Sequence, residues 1–392
     1  MGRTADVVIV GGGVTGLCTA LALKERGVGR IEVLERHFTG SGQSGRAAGV
    51  IRGCVGHATV AATQLEGQEF YGTFEARYGI PVEVHRTGYL LVARSHERAH
   101  VETTVSVAER AGCRLGLVAA EEAVEIQPGL DADPAGVHVF EPGGIYVDPA
   151  PATQAIRLAA TATGVAIREG CEVKEVVVEG GRVTGVVSND GNVSAENVLV
   201  ATSVWGTPQL ARLGIEVPVR PHIAQMAFFH VPAGSGQRLQ TTLFDSRAGL
   251  YMRPEGVAQM FVGRKEKDFH DPDGPAIDPD DYKQTAEYFA VQRMHAGLSV
   301  TLPSMSDGFV HRTYACTYDV TPDEMPILEQ AEGIDGLFFA LGFSGGGFSA
   351  APWVGRRMAD CITSGEKPPE ITPFKLERFE TGETITWSNT PD

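Results

Sequence analysis

Three glycines in the spacing G-x-G-x-x-G, Gly11, Gly13 and Gly16, stand between an apolar run over 7–10 and a stretch over 17–26 whose apolar residues recur at helical spacing. Glycines at a strand-to-helix turn serve one kind of chemistry, the approach of backbone N–H groups to a phosphate. Gly11 allows the tight turn, Gly13 lets the chain approach a pyrophosphate, and Gly16 lets the helix close on the strand. Val14 and Thr15 begin the helix whose N-terminus faces the anion. A second strand over 30–34 ends in Glu35, followed by Arg36. A carboxylate at that strand end accepts hydrogen bonds from ribose hydroxyls and repels a 2′-phosphate. Strand, glycines, helix, strand and terminal acid in that order read as a dinucleotide site rather than an isolated turn.

The elements that must position such a site follow along the chain. A glycine-rich loop, 39–53, leads to a helix over 61–77; residues 82–94 read as strands, 96–112 as a polar-faced helix and 119–126 as another. Asp148 and Pro149 open a helix of small residues, followed by strands over 165–168, 172–178, 182–187 and 193–200. Antiparallel strands are expected over 217–231 and 249–264, and a loop of prolines and aspartates at 271–281 leads into a helix over 282–298. A strand at 335–341 and a second glycine cluster, GFSGGGF, then run into a helix over 350–361. The pattern predicts an α/β fold: a doubly wound dinucleotide-binding domain carrying an inserted α+β domain built on an antiparallel sheet. The expected boundaries are 1–81, 145–216 and 325–372 for the first domain, 82–144 and 217–324 for the second, and 373–392 for a polar C-terminal tail.

A formal charge of −16 over 392 residues argues against nucleic acid and anionic membrane as partners. Six cysteines form no C-x-x-C pair, no leader segment is expected before the first strand, and no apolar run approaches the ~20 residues of a membrane span. The expectation is a reduced, cytoplasmic protein with no integral membrane segment and no metal. Assembly into an oligomer is left open.

The order of these motifs, with GSGQSGRAAGVIR at 40–52, YMRPEG at 251–256, TPDEMPIL at 321–328 and PFKLERF at 373–379, resembles the D-amino-acid-oxidase-like FAD oxidoreductases. The chain looks most like the branch holding sarcosine oxidases, dimethylglycine dehydrogenase and glycine oxidase. The resemblance implies FAD as cofactor. An isoalloxazine ring that takes a hydride at N5 becomes anionic at N1 and C2=O, and N–H groups at a helix start answer that charge. By resemblance, Gly342, Phe343, Ser344, Gly345, Gly346, Gly347 and Phe348 form the loop that does so. The same likeness puts Ser44, Arg46 and Ala47 at the pyrophosphate and ring edge, Val173 at a backbone contact on the adenine side, and Ala201 and Trp205 at a strand end beneath the cofactor. Read alone, Trp205 suits core packing equally.

Arg52 falls where monomeric sarcosine oxidase carries its carboxylate-binding arginine, and a planar guanidinium suits paired hydrogen bonds to such an anion. Read alone, it is equally an arginine paired with a structural acid. Tyr251 and Tyr318 match aromatic positions that line the family's substrate pocket, and Arg253 is a candidate for anion contact or for structural pairing. Ser349 stands where sarcosine oxidase has a second carboxylate-binding lysine. Phe261 stands where it has the lysine that promotes oxygen reduction, with Lys265 and Lys267 nearby. The departure at Ser349 points to a substrate bulkier or differently charged than sarcosine, and the one at Phe261 favours a dehydrogenase over a fast oxidase. Cys316, Tyr318, Thr321 and Asp323 keep the C-x-Y-x-x-T-x-D spacing in which that enzyme bonds its flavin through the cysteine. Cys316 is thus either a thioether or a buried free thiol, and Arg46 replaces the histidine through which other members hold flavin.

The expected reaction is oxidation of a C–N bond in a secondary or tertiary amine or amino acid, of N-methyl or cyclic type. Hydride passes to flavin N5, the imine hydrolyses, and electrons go to O2 or to a protein or quinone acceptor. His57, His222 and Tyr251 are candidates to take the ammonium proton. Two other readings stay open: oxidation of a 2-hydroxy acid or glycerol phosphate, and a flavin-bearing electron-transfer or binding subunit of a larger complex.

Overall fold

Val7, Val8, Ile9 and Val10 are all buried, and a strand apolar on both faces must lie inside a covered sheet. The computed structural model, which describes residues 3–265 and 277–385, places Arg3–Val10 there. It pairs in parallel with Ile31–Leu34 on one side and Gly191–Val200 on the other. Ala166–Arg168 extends the parallel run beyond Ile31–Leu34, and Leu337–Leu341 pairs in parallel with the end of Gly191–Val200. Val173–Glu179 and Arg182–Ser188 form an antiparallel arm, and Ile327–Gln330 lies antiparallel to Leu337–Leu341, completing eight strands.

Side chains alternate across this sheet as a pleat requires. Val7 and Ile9 join one core with Leu17, Leu21, Val354 and Met358 from the helices Val14–Glu25 and Gly347–Ser364. Val8 and Val10 join another with Val176, Val186 and Leu210. Pro352 lies inside the helix Gly347–Ser364 and has no N–H to donate to the Phe348 carbonyl. Tyr71, from the helix Ala58–Tyr78, replaces that bond: its hydroxyl donates to the Phe348 carbonyl oxygen at 3.2 Å, and the two rings stack at 5.2 Å.

A second eight-stranded sheet runs, in spatial order, Phe309–Val320, Arg220–His230, Gln259–Arg264, Leu250–Glu255, Thr242–Asp245, Tyr89–Ala93, Val137–Glu141 and Gly116–Val118. Every neighbouring pair is antiparallel except Thr242–Asp245 with Tyr89–Ala93. A small sheet of Val50–Ile51, Ile145–Val147 and Val84–His85 accompanies the two. The expected α/β class is the one the chain adopts, and its second sheet is antiparallel but for the one parallel pair.

Two segments differ from the sequence reading in ways that have physical causes. The helix expected from 282 begins at Tyr288, because the residues before it bond sideways to strands instead. The Gln284 carbonyl accepts the Ala315 N–H at 2.9 Å, and the Glu287 N–H donates to Gln225 at 2.6 Å. Within the segment read as a polar tail, Phe374 is 2% exposed against Trp353, and Arg378 is 1% exposed on Asp323.

Candidate active site

The C-terminal ends of the parallel strands open into a cleft of about 920 Å³, the place where open α/β sheets bind ligands. Gly11 has φ +109°, and a Cβ there would come within 2.5 Å of the Ala201 carbonyl oxygen. A Cβ on Gly16 would come within 2.2 Å of the Gly11 carbonyl oxygen, so this glycine packs helix on turn and stands behind the cleft wall. Glu35 accepts the N–H groups of Gly12 at 2.8 Å and His37 at 2.9 Å, and a carboxylate has further lone pairs to offer a ribose. The Ser44 hydroxyl accepts the Val14 N–H at 2.9 Å, tying the 39–53 loop to the start of the helix. Gly11, Gly13, Val14, Thr15, Glu35, Arg36, Ser44, Arg46, Ala47, Val173, Ala201 and Trp205 all line the cleft.

A second helix start faces the same space. Phe343 to Phe348 line the cleft, and the helix Gly347–Ser364 begins among them. Gly342 stands behind this loop at φ +72°, its N–H donating to the buried Asp319 carboxylate at 2.6 Å. The Ser344 N–H donates to the Asp319 carbonyl at 2.8 Å, so one residue of the second sheet holds the loop at both points. Burial pushes the Asp319 carboxyl above its usual range, against the loop N–H groups that pull it down.

The N-cap residues of the helices Val14–Glu25 and Gly347–Ser364 are glycines, Gly13 and Gly346, and neither helix has an acidic residue in its first turn. Both positive ends are therefore available to anions. In a chain of net charge −16, the cleft also draws Arg36, Arg46, Arg52, Arg264 and Lys265 to its wall. The glycine cradle, the strand-end acid and the two helix starts fit FAD: the first helix would hold its pyrophosphate, and the second would face the charge-accepting ring edge.

The second sheet and the turn after Val50–Ile51 supply the remaining wall. Arg52 is half-buried, donates to the Cys54 carbonyl and lies 4.9 Å over the Tyr89 ring. Tyr251 lies across Gly263, where a Cβ would meet its ring at 2.1 Å. Tyr318 stands edge-on to His222, with ring centroids 5.2 Å apart, and its ring passes 3.8 Å from where a Cβ on Gly345 would sit. Arg52, Tyr89, His222, Tyr251, Tyr318 and Gly345 line the cleft, as does Cys316, whose Sγ is 4.0 Å from the Arg46 carbonyl oxygen. Burial pushes the Cys316 thiol up to about 11, with Arg46 pulling the other way.

Several candidate residues take other places. Arg253 is buried behind the wall, its Nε donating to the Ala48 carbonyl at 2.9 Å and a terminal nitrogen to Glu255 at 2.6 Å, which is structural pairing. Phe261 is buried against the Arg253 guanidinium, at 4.8 Å. Ser349 and Lys265 reach the cleft; Lys267 falls outside the described residues. His57 stands just before the helix Ala58–Tyr78, at its N-cap position but without a side-chain cap bond, rather than lining the cleft, and burial lowers its pKa.

A cluster that sequence reasoning missed joins two residues it singled out. The Asp280 carboxylate accepts the Trp205 indole N–H at 2.9 Å and both terminal nitrogens of Arg36, whose guanidinium lies 4.9 Å over the indole. Hydrogen bonds from Arg36 hold the Asp280 carboxyl below its usual range. Asp280 sits in a loop 244 positions from Arg36, and no local pattern connects the two.

A family model described as DAO, FAD dependent oxidoreductase, matches residues 6–361. The chain is 27% identical over 382 residues to 4-methylaminobutanoate oxidase (formaldehyde-forming) of Paenarthrobacter nicotinovorans, covering 95% of this chain and 45% of that protein, so it spans less than half that relative's length. It is 26% identical to the sarcosine oxidase subunit beta of Rhodobacter capsulatus, covering 97% of this chain and 90% of that one. The crystal structure of L-proline dehydrogenase from P. horikoshii superposes with a TM-score of 0.87 at 27% identity, over 98% of this chain and 100% of that one. Among the described residues, no helix is long and apolar enough to cross a membrane, and no group of three metal-ligating side chains is assembled. Family model, glycine cradle and paired helix starts agree: the chain belongs to the DAO family of FAD-dependent oxidoreductases.

Proposed function

We propose that this protein oxidises a C–N bond in a secondary or tertiary amine or amino acid, of N-methyl or cyclic type. The observation that carries the reading is the placement of Arg52, Tyr251 and Tyr318 on one cleft with the nucleotide cradle. The names of the relatives, an N-methylated amino acid oxidase, a sarcosine oxidase subunit and a proline dehydrogenase, support the substrate class.

The chemistry supplied by bound FAD is acceptance of hydride from the carbon beside the amine nitrogen. Arg52 holds the substrate carboxylate in its planar fork, and the Tyr89 ring beneath supports the guanidinium. Tyr251 and Tyr318 wall the amine off from water. Burial pushes the Tyr251 phenol above its usual range, so at neutral pH it donates a hydrogen bond and does not act as a base. His222, edge-on to Tyr318, takes the ammonium proton so that the nitrogen lone pair is free. Positive potential at the start of the helix Gly347–Ser364 meets the negative charge that arrives at the ring edge. Phe261 in place of a lysine supports a protein or quinone acceptor rather than rapid reaction with O2, and Ser349 in place of a lysine supports a substrate bulkier or differently charged than sarcosine. The Cys316 thiol, held protonated by burial, is a poor nucleophile and supports flavin bound without a covalent link.

The test is anaerobic bleaching of the flavin in the purified protein by N-methyl amino acids, cyclic amino acids and 2-hydroxy acids. Bleaching by amines with release of an aldehyde or cyclic imine is expected. Bleaching by hydroxy acids alone, or a colourless protein that binds only a nicotinamide nucleotide, overturns the reading. Acid precipitation should release the flavin, whereas a yellow pellet from the parent that Cys316→Ala renders colourless would establish the thioether.

A further inference from the structure

The turn that carries Arg52 is gripped by a buried carboxylate that takes no part in the cleft wall. Glu141 ends the strand Val137–Glu141 and is 1% exposed. Its Oε1 accepts the Gly53 N–H at 2.9 Å and the Gln68 side-chain amide at 2.8 Å. Its Oε2 accepts the N–H groups of Gly53 and Cys54, each at 2.9 Å. Buried carboxylates are costly unless donors of this kind surround them, so the turn and the acid hold one another in place.

Arg52 is tied to this assembly from two sides. It donates to the Cys54 carbonyl, the far end of the turn that Glu141 grips. Its guanidinium lies on Tyr89, which is the residue directly across the sheet from Glu141. A Cβ on Gly53 would come within 2.3 Å of the Cys113 sulfur, so the turn has room for little but backbone and few ways to shift.

We propose that Glu141 is a positioning residue for substrate capture: by fixing residues 52–54 it holds Arg52 aimed into the cleft. The proposal rests on the reading of Arg52 as the carboxylate grip. It assigns Glu141 an effect on binding and none on the hydride step. Loss of its acceptors frees the Gly53 and Cys54 N–H groups and lets the turn relax.

The test compares the FAD-loaded parent with Glu141→Ala, Arg52→Ala and the double variant. The readouts are KM, kcat and the Kd of acetate, followed by perturbation of the flavin absorption band. In Glu141→Ala we expect KM and the acetate Kd to rise about tenfold with kcat within about threefold, and less than about twofold further loss when Arg52 is already alanine. Equal losses in both backgrounds, or an acetate Kd unchanged by Glu141→Ala, overturn the proposal. Glu141→Asp, which keeps the charge but retracts the carboxylate by one carbon, is judged by the same criteria if the alanine variant does not fold. Should Arg52→Ala leave both KM and acetate binding unaltered, the substrate reading fails by itself. Positioning is then decided by a crystal structure of the Glu141 variant, where a displaced Arg52 supports it and an unmoved one overturns it.

Discussion

Arg52 is half-buried over an aromatic ring, so an anion paired with it exchanges little of its contact for water. Replacing it by alanine is expected to lower kcat/KM with the best substrate by about 2–4 kcal/mol, on the order of a hundredfold or more. The flavin spectrum should not change. Arg52→Lys should recover only part of the loss, because an ammonium keeps the charge without the fork. A kcat/KM equal to the parent's in Arg52→Ala would make the arginine structural. At Gly13 a different outcome is expected. Its φ of −77° suits any residue, and the nearest atom to a Cβ is the Ser44 hydroxyl oxygen at 3.1 Å. Gly13→Val should therefore fold, with the parent's far-ultraviolet dichroism, and purify without FAD; a yellow variant would mean that the cofactor lies farther from this turn. Both residues were legible because their signals are local: a glycine spacing in one case, a short motif in the other. Glu141 and Asp280 were not, since their partners lie 88 and 244 positions away.

Among the elements, the helix Gly347–Ser364 shows why a proline can sit where a pattern calls for unbroken helix. Pro352 leaves the Phe348 carbonyl without its helical donor, and the Tyr71 hydroxyl fills the vacancy from a neighbouring helix. Tyr71→Phe keeps the stacked ring and removes only that bond. It should cost about 1–2 kcal/mol, the penalty of a buried carbonyl left unsatisfied, measured as a lower midpoint in urea at an unchanged slope. A midpoint equal to the parent's would mean that the carbonyl finds another donor. Sequence periodicity located this helix but could not announce its dependence on Tyr71, which comes from packing. The same limit explains the helix expected from 282: Gln284 and Glu287 suit a helix locally, yet strand partners at Ala315 and Gln225 claim their backbone first.

The whole molecule is fastened near its C-terminus by one buried ion pair. Arg378 Nε donates to Asp323 at 2.7 Å, and its terminal nitrogens reach Asp323 at 3.0 Å and the carbonyls of Met325 and Lys375 at 2.9 Å. Burial pushes the Asp323 carboxyl up, but Arg378 and the surrounding N–H groups outweigh it and leave the carboxyl below its usual range. A carboxyl whose folded pKa is depressed contributes stability that is complete above its unfolded pKa of about 3.9 and is lost as pH falls through the folded value. Arg378→Met should reduce stability at pH 7 by about 3–5 kcal/mol by leaving the buried Asp323 charge without its counter-ion. Urea midpoints taken between pH 7 and pH 3 should show the penalty shrinking toward the acid end, and a penalty that stays constant would contradict the assignment. The order in which the chain is made has its own consequence. Val7 pairs with Asn197, and Val200 with Phe339, so the strand Arg3–Val10 gains Ile31–Leu34 early but waits for Gly191–Val200 on its other side, and that strand waits in turn for Leu337–Leu341. Until Phe339 has been synthesised the founding sheet lacks a neighbour, and the nascent protein is most open to aggregation over that interval. Its yield in a cell should depend on translation speed and chaperones as much as on the stability of the finished fold.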